Sequence, residues 1–137
     1  MKILIINGPN LANIGLREPN IYGNIGFNEY LKILKSEFSE IEINYFQSHG
    51  ESELVAKINE ANEKVDGIIL NAGAFSHNSV AIRDAIASIK TELVLVHISN
   101  VYARDKFRHN NVIAPVCKGI ITGFGLDSYK LAIQSFI

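Results

Sequence analysis

Three short runs of this chain are almost wholly apolar, and each stops abruptly at polar, turn-forming residues. Ile3–Ile6 runs into Asn7-Gly8-Pro9-Asn10. Gly67–Leu70 runs into Asn71-Ala72-Gly73-Ala74-Phe75-Ser76-His77, and Leu93–Val96 into His97-Ile98-Ser99-Asn100. A strand with one wet face alternates apolar and polar residues, whereas a run without alternation needs cover on both faces. A parallel sheet wrapped by helices gives that cover, and such sheets bind ligands at the carboxyl ends of their strands. Three separate pieces of sequence therefore point at one pocket.

The rest of the chain supplies the wrapping. Strands are expected at Lys2–Ile6, Glu42–Gln47, Gly67–Leu70, Glu92–His97 and Gly119–Thr122. Between them lie helical patterns. Phe27, Tyr30, Leu31, Leu34 and Phe38 mark the first, and Leu54, Val55, Ile58 and Ala61 mark a second over about residues 51–63. A third starts near Ser79 and carries Val80, Ala81, Ala85, Ile86 and Ile89. The last covers about 127–136 with Asp127 as its expected cap. Alternating strands and helices predict a doubly wound α/β sandwich of three layers. Five parallel strands favour the flavodoxin-like order 2-1-3-4-5 over a six-stranded dinucleotide fold.

The 137 residues fit a single domain over 1–137 and suffice for a real core. A net charge of −1 offers no basic field for nucleic acid or an anionic membrane. No apolar run approaches the ~20 residues of a membrane span. Four apolar residues after Met1-Lys2 are too few for a signal peptide. One cysteine, Cys117, cannot form an intramolecular disulfide, which suits a reducing cytoplasm. There is no Gly-x-Gly-x-x-Gly after the first strand and no Gly-Lys-Ser/Thr phosphate loop. His97 and His109 are twelve apart and Cys117 has no neighbouring ligand, so no metal-ligand spacing is present.

The stretch from Asn7 to Gly26 is too long for a strand-to-helix connection, which usually takes two to six residues. At the ligand edge of a sheet it reads as a lid or binding loop over about 11–25. It holds Arg17 and Tyr22. A guanidinium near a phenol lowers its pKa and can make a tyrosinate base. The plainer alternative is a surface arginine beside a packing tyrosine. His97 at a strand end can donate a proton or bind an oxygen, or be a core histidine bonded to a carbonyl. His77 can be a site residue or a structural bond before a helix. Asn10 and Asn71 can polarise an oxygen without titrating, or serve turns. Ser99 and Asn100 can meet a carboxylate or cap a short helix. Arg104 and Arg108, four apart, share a face if that segment is helical, and can grip an anion or be solvated. Asp84 inside the third helix reads most simply as an exposed salt-bridge partner.

Taken together these segments resemble the type II 3-dehydroquinate dehydratases over essentially the whole chain. The resemblance rests on Asn7-Gly8-Pro9-Asn10-Leu11, Arg17-Glu18-Pro19, Tyr22-Gly23, Gln47-Ser48, Asn71-Ala72-Gly73, His77, Ser79-Val80-Ala81, Arg83-Asp84-Ala85, His97-Ile98-Ser99-Asn100, Arg104 and Phe107-Arg108, in that order. It implies reversible, cofactor-free and metal-free dehydration of 3-dehydroquinate by stepwise elimination, and a dodecamer of four trimers. Tyr22 is the implied base at C2, with Arg17 lowering its pKa. Asn10 is implied to stabilise the enolate through a water. His97 is implied to protonate the departing C1 hydroxyl, positioned by Asn71. Ile98 and Ser99 are implied to bind the substrate carboxylate, and His77 and Arg108 its ring hydroxyls. Asp84 is implied to reach a neighbouring subunit's site, and Arg104 to support lid and site.

The chain departs from that pattern at Leu95, where the family usually has Glu two residues before the catalytic His. His97 is then expected to be a weaker acid, or to be oriented by Asn71 and backbone alone. His49-Gly50-Glu51-Ser52-Glu53, Lys106 and Asn110-Asn111 also differ from the usual residues. Two rivals follow: a flavodoxin-like binding module for a small ligand or mononucleotide, which flavin colour would reveal, and a catalytically weakened relative, for which Leu95 is the support.

Overall fold

The computed structural model describes residues 1–12 and 25–137. Among the described residues, five strands form one sheet: β1 (Lys2–Asn7), β2 (Glu42–Gln47), β3 (Gly67–Asn71), β4 (Leu93–His97) and β5 (Gly119–Thr122). Their order is β2-β1-β3-β4-β5, with every neighbouring pair parallel, as expected. The helices that cover it are α1 (Phe27–Glu37), α2 (Glu51–Ala61), α3 (Val80–Ser88) and α4 (Asp127–Gln134).

Strand alternation sorts the apolar runs into two cores. Ile3, Ile5, Ile69, Val94 and Val96 pack against α1 and α4, meeting Phe27, Leu34, Tyr129 and Ile133. Leu4, Ile6, Ile68, Leu70, Leu93 and Leu95 pack against α2 and α3, meeting Leu54, Ile58, Ile82 and Ile86. Neighbours along each strand thus serve opposite cores, which is why these strands carry no polar alternation.

The helix starts differ in chemistry. Ser79 caps α3: its Oγ accepts from the Ile82 N–H at 3.0 Å and donates to Glu51 at 2.5 Å, tying the start of α3 to that of α2. Asp127 does not cap α4. Leu126 before it already has helical backbone, at φ −62° and ψ −26°, so the extended cap position does not exist there. Asp127 instead accepts from the Tyr30 hydroxyl on α1 at 3.3 Å. No helix among the described residues is long and apolar enough to cross a membrane.

Candidate active site

The carboxyl ends of β1, β3 and β4 open on a cleft of about 160 Å³. Its walls come from Pro9-Asn10-Leu11 after β1, Asn71, Gly73 and Ala74 around the end of β3, and the segment from His97 to Arg108. Two close backbone approaches shape it. The Gly8 N–H donates to the Asn71 carbonyl at 2.7 Å. A Cβ on Gly8 would lie 2.9 Å from the Ala72 oxygen, and one on Gly73 3.1 Å from the Pro9 oxygen. Gly73 also sits at φ +58°, in the left-handed region that glycine adopts at little cost.

Beneath the cleft, on the α1/α4 face, lies a buried polar network. Tyr129 of α4 donates its hydroxyl to Asn7 Oδ1 at 2.7 Å and accepts from Asn71 Nδ2 at 2.9 Å. Asn7 Nδ2 reaches the Tyr45 hydroxyl at 3.4 Å, and Asn71 Oδ1 accepts from the Gly73 N–H at 3.2 Å. Burial pushes the phenol of Tyr129 far up, so it stays a neutral donor. Each amide is thereby held in one orientation, and the turn after β3 is held with it.

His97 lies on the other face, the one Leu93 and Leu95 share. Its ring stacks on His77, with centroids 6.1 Å apart and planes 17° from parallel. His77 Nδ1 lies 2.8 Å from the Asn110 carbonyl, which accepts a hydrogen bond from that N–H. His97 is 6% exposed. Burial first, then electrostatic coupling to His77, Arg104 and Arg108, pulls His97 down to about 4. His97 is therefore a neutral imidazole at neutral pH. The run after it is fixed through its carbonyls: His97 accepts from Gly123 N–H, Ile98 from Gly125 N–H, and Ser99 from the Thr122 hydroxyl.

The cations come next. Arg104 donates to Ser99 Oγ at 3.3 Å. Arg108 has its Nε buried without a hydrogen-bond partner among the described residues. An unmet donor in a cleft suits an oxygen ligand. The two arginines do not share one helix. They fall at separate 3₁₀ turns, Val101–Ala103 and Lys106–His109, divided by the extended ψ of 144° at Asp105. Both still line the cleft.

The cleft gathers Asn10, Asn71, His97, Ile98, Ser99, Arg104 and Arg108 of the residues singled out in the sequence. His77 joins through the stacked ring. Asn10 has φ +66°, and its N–H donates to His49 Nδ1 at 3.1 Å. Asp84 is exposed on α3 and not part of the cleft lining of its own chain. Arg17 and Tyr22 lie outside the described residues. Asn71 does not hold the His97 ring: it follows Ile69 in strand register and points to the opposite face, where Tyr129 and Gly73 occupy its amide. The amide that meets the ring is that of Asn111, with Nδ2 3.5 Å from His97 Nε2. Asn7, Tyr129 and Asn111 were missed as site residues. Tyr129 reads as an ordinary core position of an amphipathic helix, and Asn111 lies fourteen residues beyond His97 with no regular element to relate them.

A polar cleft at the carboxyl edge of a flavodoxin-like sheet, with a buried imidazole facing two guanidinium groups, defines a site for a small anionic molecule and acid–base chemistry. Comparison with known proteins narrows this. The family model described as "Dehydroquinase class II" matches residues 1–137. A 3-dehydroquinate dehydratase of Caldicellulosiruptor bescii is 49% identical over 137 residues, covering 98% of this chain and 94% of its own. The crystal structure of type II dehydroquinase from Butyrivibrio crossotus superposes with a TM-score of 0.95 at 46% identity, covering 99% of this chain and 97% of that one. That of the Propionibacterium acnes type II dehydroquinase gives 0.93 at 34% identity, covering 98% and 94%. The chain belongs to the dehydroquinase class II family.

Proposed function

We propose that this protein is a hydro-lyase, a type II 3-dehydroquinate dehydratase that interconverts 3-dehydroquinate and 3-dehydroshikimate in the shikimate pathway of aromatic amino acid biosynthesis. The observation that carries this reading is the buried neutral His97 beside Ser99, Arg104 and Arg108 in the cleft of a chain of this family. The substrate is a carboxylate bearing a ketone and ring hydroxyls, and the cleft offers cations and polar donors.

The elimination is stepwise. Tyr22, its pKa lowered by Arg17, removes a proton from C2, next to the ketone. The electron pair moves onto the ketone oxygen as an enolate, which Asn10 stabilises through a water. Ile98 and Ser99 bind the carboxylate. That negative charge offsets Arg104 and Arg108, two of the cations that hold His97 neutral. His97 takes up a proton as the anion binds, and then delivers it to the C1 hydroxyl, which leaves as water while the enolate collapses. His77 and Arg108 hold ring hydroxyls, and Arg104 supports the site. The working unit is a single catalytic domain with a lid at about 11–25, in a cytoplasmic homododecamer of trimers where Asp84 serves a neighbouring site.

The test is absorbance in the conjugated-enone region after mixing protein with 3-dehydroquinate, with no added metal or cofactor. Turnover that survives borohydride and vanishes in Tyr22→Phe is the expected outcome. No turnover in the unaltered protein would overturn the assignment and favour the binding-module reading. Light scattering on the same preparations checks the assembly, and a monomer would remove the shared-site part.

A further inference from the structure

The ring of His97 needs a partner to fix its tautomer, and β4 does not provide one. Leu95, two residues earlier on the same face, is fully buried in the apolar core against α2 and α3. The polar group that meets the ring comes from Asn111. Its Oδ1 accepts from the Ile113 N–H at 3.0 Å and from the Ala114 N–H at 2.9 Å. Those two bonds use both lone pairs of the amide oxygen and fix which way the amide faces. Nδ2, a donor and never an acceptor, is therefore the atom left facing His97 Nε2, at 3.5 Å.

We infer that Asn111 is a positioning residue for His97, donating to Nε2 and holding the resting imidazole as its Nδ1–H tautomer. The inference deepens the dehydratase reading and rests on it for its importance, though not for its test. A donor facing Nε2 meets a lone pair in the neutral ring and a second N–H in the imidazolium. The amide thus opposes protonation there, in the same direction as the surrounding charge: stacked His77 after β3, and Arg104 and Arg108 after β4. Where a carboxylate at position 95 would favour the charged ring, this chain has an apolar residue and an amide that favour the neutral one.

The test reads His97 directly, in the substrate-free protein, by ¹⁵N–¹H NMR of the imidazole. The unaltered protein should show the Nδ1–H tautomer, titrating well below 6.5. Asn111→Asp keeps an oxygen for the Ile113 and Ala114 N–H groups and turns the facing atom into an acceptor. It should move the proton to Nε2 and raise the titration midpoint by about one pH unit or more. Asn111→Ala reports the loss of the contact, and retained far-ultraviolet dichroism shows that it folds. An Nε2–H tautomer in the unaltered protein would overturn the proposal. So would Asn111→Asp with unchanged tautomer and midpoint. Absent turnover with the expected NMR result would instead count against the dehydratase reading alone.

Discussion

The hydroxyl of Tyr129 has no exposure to solvent and two partners, Asn7 and Asn71. Tyr129→Phe removes one oxygen and leaves Asn7 Oδ1 and Asn71 Nδ2 short of a partner in a dry interior. A buried polar group left unpaired costs about 1–3 kcal/mol. We expect a loss of that size in urea unfolding. The Asn71 amide also fixes the Gly73 turn at the edge of the cleft, so kcat should fall roughly tenfold or more even where the variant is fully folded. Unchanged stability and turnover would show that the network is incidental. Sequence alone left this residue invisible as a site component. Its position among Leu126, Ala132 and Ile133 is that of a core residue, and nothing local marks the tip of the ring as polar cargo. Asn71 was legible as a strand-end amide, but the face it serves was not. A register count from Ile69 gives that face only once the sheet is known.

At the scale of elements, the cleft depends on how closely the turns after β1 and β3 approach. Gly8 and Gly73 allow it, since a side chain at either would press on the other turn's backbone. Gly8→Ala should destabilise by about 1–3 kcal/mol, because backbone and not a flexible side chain must give way. It should lower kcat/KM by spreading the walls around Asn10. Gly119→Ala is the control: its added methyl meets nothing within 4 Å, and its effect should stay within about 0.5 kcal/mol. Equal effects at the two positions would remove the close-approach argument. The strands themselves were easy to read, because two-sided burial leaves apolar runs that end at turn residues. The separate 3₁₀ turns holding Arg104 and Arg108 were not, since a spacing of four suits a helix as well as two short turns.

Over the whole molecule, His97 makes stability depend on pH. Its folded pKa of about 4 lies below the usual 6.5, so the unfolded chain takes the proton first. The neutral ring's contribution is complete above about 6.5 and is lost as pH falls toward 4. The upper bound is about 3 kcal/mol for one proton over that interval. Urea unfolding across this range should show stability falling with acidification, and His97→Gln should flatten the slope by up to one proton. Parallel curves for both proteins would show that the ring is not held neutral. The sheet order and both cores were legible because five strands and four amphipathic stretches leave few ways to cover two faces. The pairing of His97 with Asn111 was not, because the two lie fourteen residues apart with no regular element to relate them.

The hydrogen bond from Tyr129 to Asn7 spans 122 positions of the chain. During synthesis at about 5–20 residues per second, residue 7 therefore waits roughly 6–24 seconds for its partner to be made. No shorter nascent chain contains an assembled floor beneath the cleft, whatever strands it has already paired. The cleft is thus among the last features to exist, and an incomplete polypeptide released early would carry the residues that line it without its architecture.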